Sequence, residues 1–207
     1  MAMDCISLRI ISKDILVIDL IIPDECVPYI RLQRSRYIER KVPDTEVVKQ
    51  RYAAHVAEDF ANMEPHLPEN VKTILEIGCG LATIQVFLKR RYPLAGVELL
   101  DGDEVNSQGG AGYSTRREIY NSRAHTEMLL GANGVSVDRW HDVGTKDLLE
   151  ADLIISMASL GYHYALRTYR LKGFCIIDLR RGQEKIRGKI IFAGPKYDRC
   201  AFQANDK

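Results

Sequence analysis

The sequence predicts an α/β domain built on a doubly wound, mostly parallel sheet with an antiparallel C-terminal hairpin, preceded by an N-terminal hairpin and helix. Three observations carry that prediction. Short apolar runs alternate with helical stretches from residue 74 to 179, the pattern of βαβ units whose sheet is covered on both faces. The last two runs, 189–193 and 199–202, flank Gly194-Pro195 and read as an antiparallel pair. The chain has 207 residues, 46% hydrophobic and 28% charged, which is enough to bury one full core.

In chain order, Ile6, Leu8 and Ile10 alternate with polar residues and 15–22 is rich in β-branched residues, so two short strands forming a hairpin are expected. Residues 28–42 show no clear period. A helix is expected from Asp44, because Val48, Tyr52, Val56, Phe60 and Met63 recur every three or four residues; Pro65 and Pro68 end it. Residues 74–77 form an apolar strand running into Gly78-Cys79-Gly80. Residues 83–91 read as a helix with Ile84, Phe87 and Leu88 inward, stopped by Pro93. A second strand at 95–100 ends in Asp101-Gly102-Asp103. The glycine-rich loop at 106–115 is a flexible connection or a lid. Thr115 with Glu118 makes a capping box for a helix that stops at Asn133-Gly134. Further strands are expected at 135–140, 153–157 and 174–179.

Composition removes several classes of function. The longest strongly apolar stretch, 15–22, is interrupted by Asp19 and falls far short of the ~20 residues that span a bilayer. The first residues lack a positive segment, so no secretory signal is expected. Cys5, Cys26, Cys79, Cys175 and Cys200 form no Cys-x-x-Cys pair, which predicts free thiols in a reducing cytoplasm rather than disulfides or a zinc site. The net charge of +1 conceals a segregation: residues 42–160 carry net −7 and residues 161–207 net +7. The basic tail is either a footprint for phosphate or nucleic acid, or a sheet edge dressed with cations against aggregation.

Ligands of open α/β sheets bind beyond the carboxyl ends of the strands, at the topological switch point. The turn that follows the 74–77 strand reads Glu76-Ile77-Gly78-Cys79-Gly80-Leu81-Ala82. Glycines at i and i+2 let the chain turn tightly and bring backbone N–H groups against a ligand. A nicotinamide or flavin fingerprint would place a third glycine at 83, where Thr83 stands. Alone, the two glycines also suit an ordinary strand–helix turn. Asp101 follows Gly78 by 23 residues at the end of the second strand, and Asp142 closes the third.

With these residues the sequence resembles class I S-adenosylmethionine-dependent methyltransferases. The match is an acid two residues before Gly-x-Gly, here Glu76 with Gly78 and Gly80; Ala82 stands where a third glycine is usual. The resemblance covers roughly 71–180 and is carried mainly by 74–101. It implies an S-adenosylmethionine-binding domain at 71–207 and an N-terminal extension at 1–70 placed to cover the substrate. It implies that Asp101, with Glu98 as a substitute, binds the ribose hydroxyls, whose protons a carboxylate can accept. It also implies an adenine contact from Asp142 and cofactor contacts from Glu76, Gly78, Cys79, Gly80, Gly102 and Ser156. No metal site is expected, since Ser156 stands where metal-dependent members carry an aspartate.

The resemblance places the acceptor chemistry after the fourth strand, at Ser156-Met157-Ala158-Ser159-Leu160-Gly161-Tyr162-His163-Tyr164. This segment lacks the Asp/Asn-Pro-Pro-Tyr/Phe of nucleic-acid amino methyltransferases, and the chain holds no Pro-Cys pair of the cytosine C5 enzymes. His163 can take a proton from a hydroxyl or amine acceptor, with Tyr162 lining the pocket or bonding the acceptor. Alternatively, His163 opens the next helix and the tyrosines pack. His55, beside the apolar stripe, reads as a surface or core-edge residue. The expectation is a cytoplasmic methyltransferase acting on an O or N atom of a small molecule, with no membrane partner. The alternatives are an RNA or DNA methyltransferase using the basic C-terminal surface, and a non-catalytic cofactor-fold binding protein. Thr83 disfavours a nicotinamide-dependent oxidoreductase.

Overall fold

A computed structural model of the chain describes residues 20–33, 42–102, 122–157, 159–161, 165–181, 188–194 and 197–205. Seven strands form one sheet: β1 (Thr73–Ile77), β2 (Gly96–Leu100), β3 (Arg139–His141), β4 (Leu148–Ser156), β5 (Arg170–Arg180), β6 (Lys189–Ala193) and β7 (Tyr197–Ala204). Their order is β3-β2-β1-β4-β5-β7-β6. Strands β1 to β5 pair in parallel, and β7 runs antiparallel between β5 and β6. The chain winds from β1 outward to β3, returns to β4 beside β1, and winds the other way. This is the doubly wound, mostly parallel sheet with an antiparallel C-terminal hairpin that the sequence predicts. The reversal puts the switch point between the carboxyl ends of β1 and β4.

Among the described residues four α-helices accompany the sheet: α1 (Val27–Gln33), α2 (Thr45–Met63), α3 (Ile84–Arg91) and α4 (Arg123–Ala132). Asp44 caps α2, its carboxylate accepting the N–H groups of Glu46 at 2.8 Å and Val47 at 3.3 Å. Val48, Tyr52, Val56 and Met63 are buried, as their spacing predicts. Helix α1 forms where the sequence shows no period, with Pro28 in its first turn, where a missing N–H breaks no bond. Alternate sheet residues face two cores. One contains Ile74, Val97, Leu99, Leu153, Ile155 and Ile176 and receives residues from all four α-helices. The other contains Leu75, Ile77, Leu100, Ile154, Cys175 and Ile177, joined by Leu160, Leu166 and Tyr169 of the β4–β5 connection.

Several strand boundaries differ from the expectation. The third strand shrinks to 139–141 because the Asp138 carboxylate takes the Val97 N–H at 2.7 Å, in place of a backbone partner. Strands β4 and β5 extend further than their expected runs, since Leu149 and Leu171 pair across them and are buried in the core, flanked by an exposed Glu150–Lys172 ion pair at 2.7 Å. The expected N-terminal hairpin (apart from residues 20–22), the 106–115 loop and the Thr115–Glu118 capping box lie outside the described residues. At residue 21 the chain is tied to the end of α4. The Ile21 N–H donates to Asn133 Oδ1 at 2.9 Å, and Asn133 Nδ2 donates to the Ile21 carbonyl at 2.7 Å. Among the described residues no helix is long and apolar enough to cross a membrane.

A buried ionic cluster joins α2 to the C-terminal hairpin. Arg199 on β7 is 1% exposed, and its guanidinium donates to both oxygens of Asp178 on β5 at 2.7 and 3.1 Å. It also donates to the Asp59 carboxylate on α2 at 3.0 Å and to the Asp59 carbonyl at 3.3 Å. His55 reaches the second Asp59 oxygen at 3.3 Å. Burial opposes the charge on Arg199, but Asp178 and then Asp59 outweigh it and push the guanidinium above its ordinary pKa. Replacing Arg199 with Met leaves two buried carboxylates without their cation, so Arg199→Met should cost about 3–5 kcal/mol in urea unfolding. Arg181→Met, which breaks a more exposed pair with Asp198, should cost less than about 1 kcal/mol. Similar losses for the two variants would show that the cluster does not anchor α2.

Candidate functional site

The turn after β1 takes a left-handed backbone at every second residue: φ is +68° at Gly78, +55° at Gly80 and +51° at Ala82. Ala82 thus adopts a conformation that costs a non-glycine residue about 1–2 kcal/mol, in the place where the sequence resemblance puts a third glycine. A side chain on Gly78 would collide with Ser159, just beyond β4, and one on Gly80 with the hydroxyl of Tyr29 on α1. Glycine is therefore required at both positions by backbone angle and by close approach together.

The polar groups of this turn bond inward. The Gly78 N–H donates to the Leu100 carbonyl at 2.7 Å, the Gly80 N–H to Asp101 Oδ2 at 2.6 Å, and the Ala82 N–H to the Cys79 carbonyl at 2.8 Å. On the other side, Thr126 of α4 donates its hydroxyl to the Gly80 carbonyl at 2.7 Å. Tyr52 of α2 and Thr83 share a hydrogen bond between hydroxyls at 2.8 Å. A phosphate-binding turn presents such N–H groups to its ligand. Here three of them are already engaged.

Two carboxylates stand at the turn. Asp101, just past β2, is buried; its Oδ1 accepts the Gly102 N–H at 2.7 Å while Oδ2 holds Gly80. Burial pushes its pKa up to about 6, although the Gly80 and Gly102 N–H groups, the Cys79 thiol and the Arg123 charge act in the opposite direction. Glu76, buried near the end of β1, accepts from Gln85 Nε2 of α3 at 2.9 Å. Between the two acids, burial and then Asp101 and Glu76 push the Cys79 thiol well above its ordinary pKa, so it is no nucleophile. A carboxylate offers about four lone-pair sites, and each Asp101 oxygen has only one backbone partner, so both retain acceptor capacity for ligand hydroxyls.

The remaining sequence candidates are placed differently. The Ser156 hydroxyl is fully buried, donating to the Ile77 carbonyl at 2.8 Å and accepting the Leu160 N–H at 2.8 Å. It braces the ends of β1 and β4 together. Asp142 lies on the outside, with a side chain 88% exposed that pairs with Arg123 at 3.2 Å. The Arg123 guanidinium in turn lies 5.0 Å from the Trp140 ring centroid. Its neighbour His141 is the partly buried one, 2.6 Å from Glu98, which is thereby engaged. Tyr162 and His163 lie outside the described residues. The segment leading to them is fixed, because Gly161 has φ +79° and its carbonyl accepts the Arg180 N–H at 2.9 Å. Sequence reasoning missed Gln85, Tyr29, Thr126 and Ser159. Only Gln85 carried a signal, as a polar residue inside the apolar 84–88 run.

The strand order, with β7 alone running against the other six, and the glycine turn between buried strand-end carboxylates define a doubly wound, mostly parallel α/β fold with a candidate ligand site at its switch point. No family model matches the chain, and none of the curated proteins matches it. Among solved structures it is similar to "StiE O-MT residues 961-1257", at 11% identity and a TM-score of 0.42, over 70% of this chain and 50% of that one. It is similar to a coclaurine N-methyltransferase bound to N-methylheliamine and SAH, at 13% identity and a TM-score of 0.39, over 69% of this chain and 39% of that one. An O-methyltransferase family protein from Burkholderia thailandensis gives 10% identity and a TM-score of 0.41, over 84% of this chain and 63% of that one. The chain thus spans only about 39–63% of the length of these three structures.

The raised pKa of Asp101 sets a pH dependence. Between pH 3.8 and about 6 the folded chain holds a proton there that the unfolded chain releases, so this contribution to stability is full at low pH and lost as pH rises through about 6. Asp101→Asn should therefore gain on the wild type by about 3 kcal/mol in unfolding free energy between pH 4 and pH 7. Parallel stability curves in urea titrations across that range would contradict the assignment.

Proposed function

We propose that this chain is a methyltransferase that transfers the methyl group of S-adenosylmethionine to an oxygen or nitrogen atom of a small-molecule acceptor. One observation carries the reading: the N–H groups of Gly78, Gly80 and Ala82 are engaged within the protein, while two buried carboxylates flank the turn. With these three donors engaged and two carboxylates beside them, such a site disfavours a pyrophosphate and suits a phosphate-free ligand with a positive charge and vicinal hydroxyls. S-Adenosylmethionine fits that description. Asp101 would accept its ribose hydroxyls, Glu76 would face its cationic portion, and the exposed Asp142 would remain open to the adenine amino group. Gly78, Cys79, Gly80 and Gly102 would shape the floor.

When bound, the cofactor supplies a methyl group already activated on a sulfonium sulfur. The protein's share is then mostly positioning, which can contribute ~7–11 kcal/mol toward the barrier. Helices α1 and α2 support a covering role for the 1–70 extension, since Tyr29 and Tyr52 both reach the glycine turn. His163 is proposed as the group that takes the acceptor's proton, with Tyr162 beside it; Ser159 seats the start of their loop directly over Gly78. Internal pairing of part of the basic surplus after residue 161 weakens the nucleic-acid reading. Lys172, Arg181 and Arg199 are paired with Glu150, with Asp198, and with Asp178 and Asp59.

Calorimetric titration should give micromolar binding of S-adenosylhomocysteine and none of NADH, with Asp101→Ala weakening the former at least about tenfold. Tight NADH binding without S-adenosylhomocysteine binding would refute the proposal. A screen of phenols and amines with methyl-labelled cofactor should return an acceptor on which His163→Ala lowers kcat by about 10²–10⁴. Full turnover by that variant would remove His163 from the mechanism, and methylation of RNA alone would favour the nucleic-acid reading.

A further inference from the structure

Gln85 lies in the first turn of α3 between Ile84 and Val86 and is completely buried. Its Nε2 donates to Glu76 Oε2 at 2.9 Å, which fixes the orientation of the amide, because an ionised carboxylate only accepts. The other end of the amide, Oε1, is buried without a hydrogen-bond partner. Buried acceptors left unmet are rare in native structures, and each calls for a reason. Core packing supplies none here, since Leu or Met would fill this position without an orphan oxygen.

The chemistry of the two turn carboxylates supplies the reason. Asp101 is held by two backbone N–H groups that shape the turn. Glu76 is held by a side-chain amide, which orients the carboxylate while leaving its charge intact, and which sets a second, unmet acceptor next to it. A carboxylate backed by an orphan carbonyl oxygen suits an ammonium group, whose three N–H donors need more than one acceptor. We propose that Gln85 is a positioning and specificity-determining residue: it holds Glu76 toward the ammonium group of the ligand's amino-acid arm and makes binding depend on that arm. This inference rests on the S-adenosylmethionine reading given above.

The test compares S-adenosylhomocysteine with 5′-methylthioadenosine, which keeps the nucleoside and the sulfur and lacks the amino-acid arm. In calorimetric titrations, Gln85→Met should weaken S-adenosylhomocysteine binding about tenfold, the loss of one hydrogen bond to a charged group. Binding of 5′-methylthioadenosine should change by less than about twofold, since its contacts avoid the pair. Gln85→Asn keeps a polar amide but withdraws it from Glu76; it should show the same selective loss if the Met variant does not fold. Equal weakening of both ligands would mark Gln85 as merely structural, and unchanged S-adenosylhomocysteine binding would overturn the inference outright. A wild type that binds neither ligand would overturn the cofactor reading, and this inference with it.

Discussion

The hydrogen bond from the Gly80 N–H to the Asp101 carboxylate is the contact on which the site depends. It joins the turn after β1 to the residue that ends β2, so the two strand ends hold a fixed distance without an intervening side chain from the turn. The Gly80 carbonyl is taken by Thr126, which brings α4 to the same residue. Three elements therefore converge on one glycine, and each of its backbone polar groups is met by a side chain from elsewhere in the sequence. The same bond decides the electrostatics. By occupying the Gly80 N–H, and by placing a carboxylate there, it disfavours a phosphate at that donor.

The N-terminal helices extend that constraint across the sheet. Along α2, Tyr52 bonds Thr83 at the start of α3, and Asp59, two turns on, joins Arg199 on β7. One helix is thus fastened at the glycine turn and at the C-terminal hairpin, which ties it to both halves of the doubly wound sheet. Part of the basic surplus in the last 47 residues has its explanation here. Arg199 neutralises carboxylates that would otherwise be buried alone, and Arg181 and Lys172 pair at the surface. The positive charge of the C-terminal strands partly serves the fold rather than a partner.

The legible part of the sequence was the part fixed by backbone geometry. Gly78, Gly80 and Ala82 take left-handed angles in strict alternation, so the i, i+2, i+4 spacing is a direct record of the turn. Asp101 was legible because a strand end and a short polar residue coincide. Asp142 illustrates the opposite case. On the three-residue edge strand β3, the choice between His141 and Asp142 as the inward residue is a matter of single-residue register, which a short sequence run does not specify. Ser156 was readable as a polar residue at a strand end, but not as one whose hydroxyl is consumed by Ile77 and Leu160, because both partners are set by tertiary pairing. The lengths of β4 and β5 were hidden for a related reason: leucines at 149 and 171, each beside a charged residue, join the core only through their cross-strand pairing.

The distribution of unmet costs is itself informative. Away from the turn, Asn133 pairs with both backbone groups of Ile21, and Asp152 accepts the N–H groups of Lys72 and Thr73 at 2.7 and 3.0 Å, while Glu46 Oε2 on α2 is a second buried acceptor without a hydrogen-bond partner among the described residues. Within 26 residues around the turn lie a desolvated carboxylate at Asp101, a left-handed alanine at Ala82 and an orphan acceptor on Gln85. Three different kinds of cost at one turn are what a ligand site would be expected to carry. A ligand bearing a positive charge and hydroxyl groups would relieve two of the three, by giving Asp101 donors and charge compensation and by giving Gln85 a partner. Binding that relieves such costs stabilises the folded chain in proportion to ligand concentration. The stability of this fold and the occupancy of its glycine turn are therefore coupled through the same few side chains.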